Sequence, residues 1–134
     1  HYDLNPSIGN RILGKREIAS IVESATLHFQ GERYALSAWC VMPNHVHAVV
    51  TPYPDHSLSQ ILHSWKSFSA HEINRALQRK GTVWESESFD HLVRHERAFE
   101  QFVQYTENNP VVAGLCDSPD QWPFSSARCR LSGR

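Results

Sequence analysis

The sequence predicts an α+β fold in which helices pack against a single antiparallel sheet. Three observations point there. Two strand-like runs stand side by side, parted only by Pro43-Asn44. Stripes of apolar residues at helical spacing lie on both sides of that pair along the chain. The length, 134 residues with 40% apolar content, suits one domain with its own core.

The elements follow in order. Residues 1–14 read as a loop. Ile18, Ile21, Val22, Ala25 and Phe29 recur at helical spacing, and Gly31 is a natural stop. Tyr34 to Met42 reads as a strand and His45 to Thr51 as a second, together an antiparallel hairpin. Ser57 with Gln60 fits a capping box. Behind it Leu58, Ile61, Leu62, Trp65, Ser69, Ile73, Ala76 and Leu77 trace a long helix that Gly81 should end. Thr82 to Val93 should be extended, at least around Val83-Trp84 and Phe89. Phe99, Phe102, Val103 and Thr106 mark a third helix, which Pro110 should end because proline disfavours helix in the residue before it. The order helix, strand, strand, helix, strand, helix fits a ferredoxin-like split sandwich. Such a sheet wants a fourth strand. The chain begins at His1, without Met, so the opening strand is expected to be missing and residues 1–134 to form one N-terminally incomplete domain.

Composition narrows the function. No apolar run nears the roughly 20 residues that span a bilayer, and the first residues lack a signal-peptide pattern; no membrane role is expected. Cys40, Cys116 and Cys129 are odd in number and none forms a CxxC pair, so neither a disulfide framework nor a thiolate zinc site is indicated, and a reducing cytoplasm is the simple reading. Thirteen basic against 14 acidic residues give a net charge of −1. Broad duplex binding usually needs a basic face, so a nucleic-acid role must rest on a local groove. Nine histidines make chance pairs common, and each pair has to be argued on geometry.

His45 and His47 share one face of a strand because side chains alternate. Two imidazoles there can chelate one metal ion; they can equally be two surface histidines. Tyr105 lies at the border of the apolar stripe of the third helix, where a phenol can reach a substrate or simply keep a wet hydroxyl. Asn109 lies one turn beyond it on the same side. It could offer an amide oxygen to a hard cation, or be a helix C-terminal Asn before Pro110. Asn108 competes for either role.

Together, His45-x-His47 on a strand and Tyr105-x-x-x-Asn109 on a helix resemble the HUH-type single-strand DNA nucleases. Val41-Met42-Pro43-Asn44-His45-Val46-His47 resembles the MPNHVH signature of the REP-associated tyrosine transposases. Ser64-Trp65-Lys66-Ser67-Phe68, Val83-Trp84 followed by Phe89-Asp90, the run YTENNPVVAGL from Tyr105 to Leu115, and Trp122-Pro123-Phe124-Ser125-Ser126 match that family in order. The resemblance covers roughly residues 11–130. The chain departs from the pattern in two places. The usual opening strand is not evident, and Glu85-Ser86-Glu87-Ser88 replaces a more basic, aromatic segment.

The resemblance implies metal-dependent cleavage and strand transfer on single-stranded, hairpin DNA through a 5′-phosphotyrosine. It implies Tyr105 as nucleophile, and Mg²⁺ or Mn²⁺ on His45, His47 and Asn109. No nucleotide cofactor is expected, since one phosphodiester is exchanged for another. A monomer is expected over a homodimer. Lys66, Arg75, Arg94 and Arg97 are the candidate DNA contacts, with Arg79 and Lys80 near them; each can equally be solvated surface charge. Trp65 falls in the helix stripe and should be core. Two other classes compete. One is a zinc-type hydrolase on the HxH pair, which needs a third strong ligand such as His56, His63 or Asp90. The other is a catalytically silent protein that binds hairpin DNA.

Overall fold

The computed structural model describes residues 2–4, 6, 12–85, 89–90 and 96–132. Its elements are β1 (Tyr2–Leu4), α1 (Arg16–Leu27), β2 (Tyr34–Met42), β3 (His45–Pro52), α2 (Leu58–Leu77), β4 (Phe89–Asp90), α3 (Glu96–Val112) and α4 (Ser126–Ser132), with single 3-10 turns at Ile12–Gly14 and Pro119–Gln121. The four strands form one sheet in the order β2-β3-β1-β4. Every pairing between these four strands is antiparallel. This is the α+β split sandwich the sequence predicts.

The opening strand is present, which corrects the expectation that the chain lacks it. Tyr2 to Leu4 pairs with Ala48 to Val46 on one side, and Tyr2 and Asp3 pair with Asp90 and Phe89 on the other. Three residues are too few to show a period of two, so the strand is visible only through its partners.

The helices do not share one face of the sheet. Leu13, Ile18, Val22, Tyr34, Val41, Val46, Ala48, Ile61, Trp65 and Ile73 belong to a single core cluster, which places α1 and α2 over one side of the sheet. On the other side Ala38, Cys40, Met42, His47 and Val49 are also buried, and α3 lies there. The run Ala38-Trp39-Cys40-Val41-Met42 is apolar at every position, as expected of a strand covered on both faces.

Buried polar groups pair through this core. Tyr34 Oη donates to the Thr26 carbonyl and accepts from Trp65 Nε1 at 2.9 Å. Trp84 Nε1 donates to Ser69 Oγ at 2.9 Å, and Ser69 Oγ donates to the Trp65 carbonyl. Trp65 is therefore a core residue, 3% exposed.

Two helix ends differ from expectation. The capping box at Ser57 and Gln60 forms, but α2 stops at Gln78, in the left-handed conformation at φ 53°, ahead of Gly81. Pro110 does not end α3. The helix runs on to Val112, and Gly114 at φ 76° closes it, with Leu115 N donating to the Pro110 carbonyl. A proline near a helix end forfeits one backbone hydrogen bond, and the next turn can still form.

β2 is an edge strand, and the segment from Trp122 to Ser126 covers its outer edge. Val41 N donates to the Phe124 carbonyl at 2.9 Å, Trp122 Nε1 donates to the Val41 carbonyl, and Cys40 bridges to Ser125. No described helix is long and apolar enough to cross a membrane.

Candidate active site

β3 lies between β2 and β1, so its side chains sit mid-sheet. His45 and His47 point to the α3 side, opposite Val46 and Ala48. The two-residue turn Pro43-Asn44 leads directly into His45. Neither turn residue takes a positive φ, and the Pro43 carbonyl accepts from Leu13 N at 3.0 Å. That turn sets Asn44 beside His45, with Asn44 Oδ1 2.6 Å from His45 Nδ1. With Asn44 Oδ1 as the acceptor, the matching His45 tautomer is the one protonated on Nδ1, which leaves a lone pair on Nε2.

That lone pair meets a crowded point. His45 Nε2 lies 2.6 Å from His47 Nε2, with the rings nearly perpendicular and 4.3 Å between centroids. Asn109 Nδ2 lies 2.9 Å from the same His47 Nε2. A neutral ring nitrogen offers one hydrogen or one lone pair and cannot serve both neighbours at once. Three side chains thus converge on one point, where a cation taking up the ring lone pairs would remove the conflict. Turned over, the Asn109 amide presents its oxygen to that point. Two imidazoles and an amide oxygen suit a divalent cation, and the hydrogen bond from His45 to Asn44 is the kind that orients a ligating histidine.

α3 supplies the rest. Tyr105 and Asn109, one turn apart, both reach His47. The Tyr105 ring stands edge-on to it at 5.6 Å between centroids and is 54% exposed. It lines an open cleft of about 640 Å³ with Gln101, Gln104, Asn108 and Val112. Asn109 is half-buried beside His47, while Asn108 is exposed. His47 itself is only 3% exposed.

The other candidates lie elsewhere. Lys66 and Arg75 are on α2, across the sheet from the histidines. Lys66 Nζ donates to the Glu85 carbonyl at 3.4 Å, and Arg75 borders a shallow groove with Glu17 and Glu72. Arg79 is held by Asn74 Oδ1 and the Thr82 carbonyl at the end of α2. Arg97 is exposed in the first turn of α3. Arg94 and residues 86–88 lie outside the described residues. His56 and His63 border grooves beside α2, and among the described residues no group of three His, Cys, Asp or Glu could hold a metal. Sequence reasoning overlooked Asn44, taken only as a strand breaker, although its place beside a metal-type histidine pair was the available signal.

Residues 12–109 match the family described as "Transposase IS200 like". This chain belongs to the IS200-like transposase family. Its curated relatives carry the same identity that the motifs suggested. The REP-associated tyrosine transposase of Escherichia coli K12 is 28% identical over 94 residues, which span 69% of this chain and 54% of that protein. A Haemophilus influenzae protein named as a candidate REP-associated tyrosine transposase is 23% identical over 120 residues, 82% of this chain and 66% of that protein. The IS200-like chain thus spans roughly half to two thirds of the length of these relatives. A solved REP-associated tyrosine transposase, determined bound to a REP hairpin, superposes with a TM-score of 0.79 at 22% identity, covering 98% of this chain and 77% of that one. At that identity the likeness establishes a shared fold.

Proposed function

We propose that this IS200-like chain cleaves and rejoins single-stranded DNA through a covalent tyrosine, on a substrate carrying a hairpin. The observation that carries the reading is the junction of α3 with β3: an exposed Tyr105 edge-on to His47, whose Nε2 also faces Asn109 and His45. His45, His47 and Asn109 would hold a divalent cation, Mg²⁺ or Mn²⁺, which would supply positive charge to the phosphate oxygens.

Tyr105 Oη attacks the scissile phosphorus. A Tyr–O–P bond forms, the P–O3′ bond breaks, the phenolic proton passes to solvent, and the departing 3′-oxygen takes up a proton. The bond exchanged is phosphodiester for phosphodiester, so a 3′-hydroxyl can reverse the step without a nucleotide cofactor. The open cleft around Tyr105 leaves room for an unpaired strand. Asn44 keeps the His45 ring in the tautomer that offers Nε2.

The test is incubation with a hairpin oligonucleotide bearing a single-stranded flank and Mn²⁺, followed by a denaturing gel. Wild type is expected to give a covalent protein–DNA adduct. Tyr105→Phe is expected to give none while binding the oligonucleotide as before, since one oxygen is lost from an exposed ring. A hydrolase with water as nucleophile would keep cutting in that variant. A binding-only protein would form no adduct in the wild type. An adduct that persists in Tyr105→Phe overturns the reading.

A further inference from the structure

Glu107 stands on α3 between Tyr105 and Asn109, yet takes no part in the chemistry proposed. It is 7% exposed. At 100° per residue it projects about 160° from Asn109 around the helix, so the two hold opposite edges of α3. One edge meets His47 on β3. The other meets the end of the chain on the outer edge of β2. There Ser126 Oγ donates to Glu107 Oε2 at 2.5 Å and accepts from the backbone N–H of Trp39 at 3.1 Å. The Trp39 carbonyl, 3.3 Å from the same hydroxyl, is the weaker claimant on its single hydrogen. The backbone of Trp39 is itself fixed, because it pairs with Ala48 on β3.

The chain of contacts therefore closes a ring: β3 to β2 through the sheet, β2 to Ser126, Ser126 to Glu107, and α3 back to β3 through Asn109 and Tyr105. Apolar packing holds the roll of a helix on a sheet less sharply than directional hydrogen bonds do, because its contacts can slide a little while directional bonds cannot. Two polar contacts on opposite edges prevent that. Loss of the outer one would let α3 roll, and Tyr105 and Asn109 would swing together relative to His47.

From this we infer that Glu107 is a positioning residue, which through Ser126 and the Trp39 backbone fixes the roll of α3 and so sets Tyr105 and Asn109 against His47. The inference deepens the proposed strand-transfer reading and rests on it for its catalytic consequence. The test uses Glu107→Ala, Ser126→Ala and Glu107→Gln in the full chain. The Gln variant keeps a carbonyl oxygen to accept from Ser126. Two readouts are taken. The first is the nuclear Overhauser contact between the Tyr105 and His47 rings, without metal or DNA. The second is the rate of adduct formation at saturating hairpin oligonucleotide with Mn²⁺, beside oligonucleotide affinity.

In Glu107→Ala and Ser126→Ala the ring contact should weaken and the adduct rate fall by about 10- to 100-fold, as misplacement of reacting groups produces, with affinity unchanged. The double variant should lose no more than either single one. Glu107→Gln should stay near wild type in both readouts. Folded Ala variants with wild-type ring contact and rate overturn the inference, as does a Gln variant as impaired as Glu107→Ala. Should an Ala variant not fold, the Gln variant and the remaining Ala variant decide. A wild type that forms no adduct sinks the strand-transfer reading instead, and the ring contact still tests the role of Glu107.

Discussion

His47 is both a candidate ligand and a packed side chain, and the two roles predict different losses. Removing a buried ring leaves a cavity, so His47→Ala should cost about 2 kcal/mol of stability. His45 is only half-buried, and His45→Ala should cost less than about 1 kcal/mol. Both should abolish Mn²⁺ binding; thermal unfolding and calorimetric titration separate the two effects. Asn44→Ala leaves the histidines in place but frees the tautomer of His45. It should weaken Mn²⁺ affinity about tenfold with little change in unfolding temperature. The shared face of His45 and His47 and the one-turn spacing of Tyr105 and Asn109 were legible because they follow from local periodicity. The burial of His47 was not, because it depends on α3 crossing to the other side of the sheet, about 60 residues away in the chain. The role of Glu107 is hidden for the same reason, since its partner Ser126 stands beyond the helix.

At the scale of elements, α1, β2, β3 and the start of α2 could be read from sequence, being long and strongly patterned. β1 and the end of α3 could not. Pro110 tests what α3 loses with one backbone amide. Pro110→Ala restores an N–H that can bond to the Thr106 carbonyl but empties part of a fully buried site, so the net change in stability should stay within about 1 kcal/mol. It should also loosen the packing one residue beyond Asn109 and lower the rate of adduct formation. A variant that is both more stable and equally fast would separate the proline from the site. Gln78 offers a simpler case. Its left-handed conformation at φ 53° strains any residue with a Cβ. Gln78→Gly should raise stability by about 0.5–1 kcal/mol, measured by urea unfolding, with no effect on DNA.

For the whole molecule, alkaline pH is the exposed flank. Burial raises the pKa of Tyr34 above its ordinary 10.0, and burial likewise pushes the Cys40 thiol well above 9.0. In both cases the folded state holds the proton more tightly than the unfolded chain. Their contribution is therefore full below pH 9 and declines as pH rises, first for Cys40 and then, above pH 10, for Tyr34. Unfolding midpoints measured from pH 7 to 11 should fall over that window, and Cys40→Ala should flatten the part of the decline nearest pH 9. A profile that is level to pH 11 would contradict this.

The cover over the outer edge of β2 also governs how the molecule behaves in company. β2 is nine residues long, whereas the opposite edge strand β4 has two. A bare edge of that length carries a row of unsatisfied amides and carbonyls, and such a row recruits strands from other chains. The Trp122–Ser126 segment occupies the stretch from Trp39 to Val41 with its own backbone and an indole N–H, so it should act as a solubility device as much as a structural one. A chain cut after Gln121 should lose that protection. It should self-associate through sheet extension, seen as rising light scattering and thioflavin fluorescence with concentration. If it instead stays monomeric at the concentrations where the intact chain does, the edge is guarded by something other than this segment.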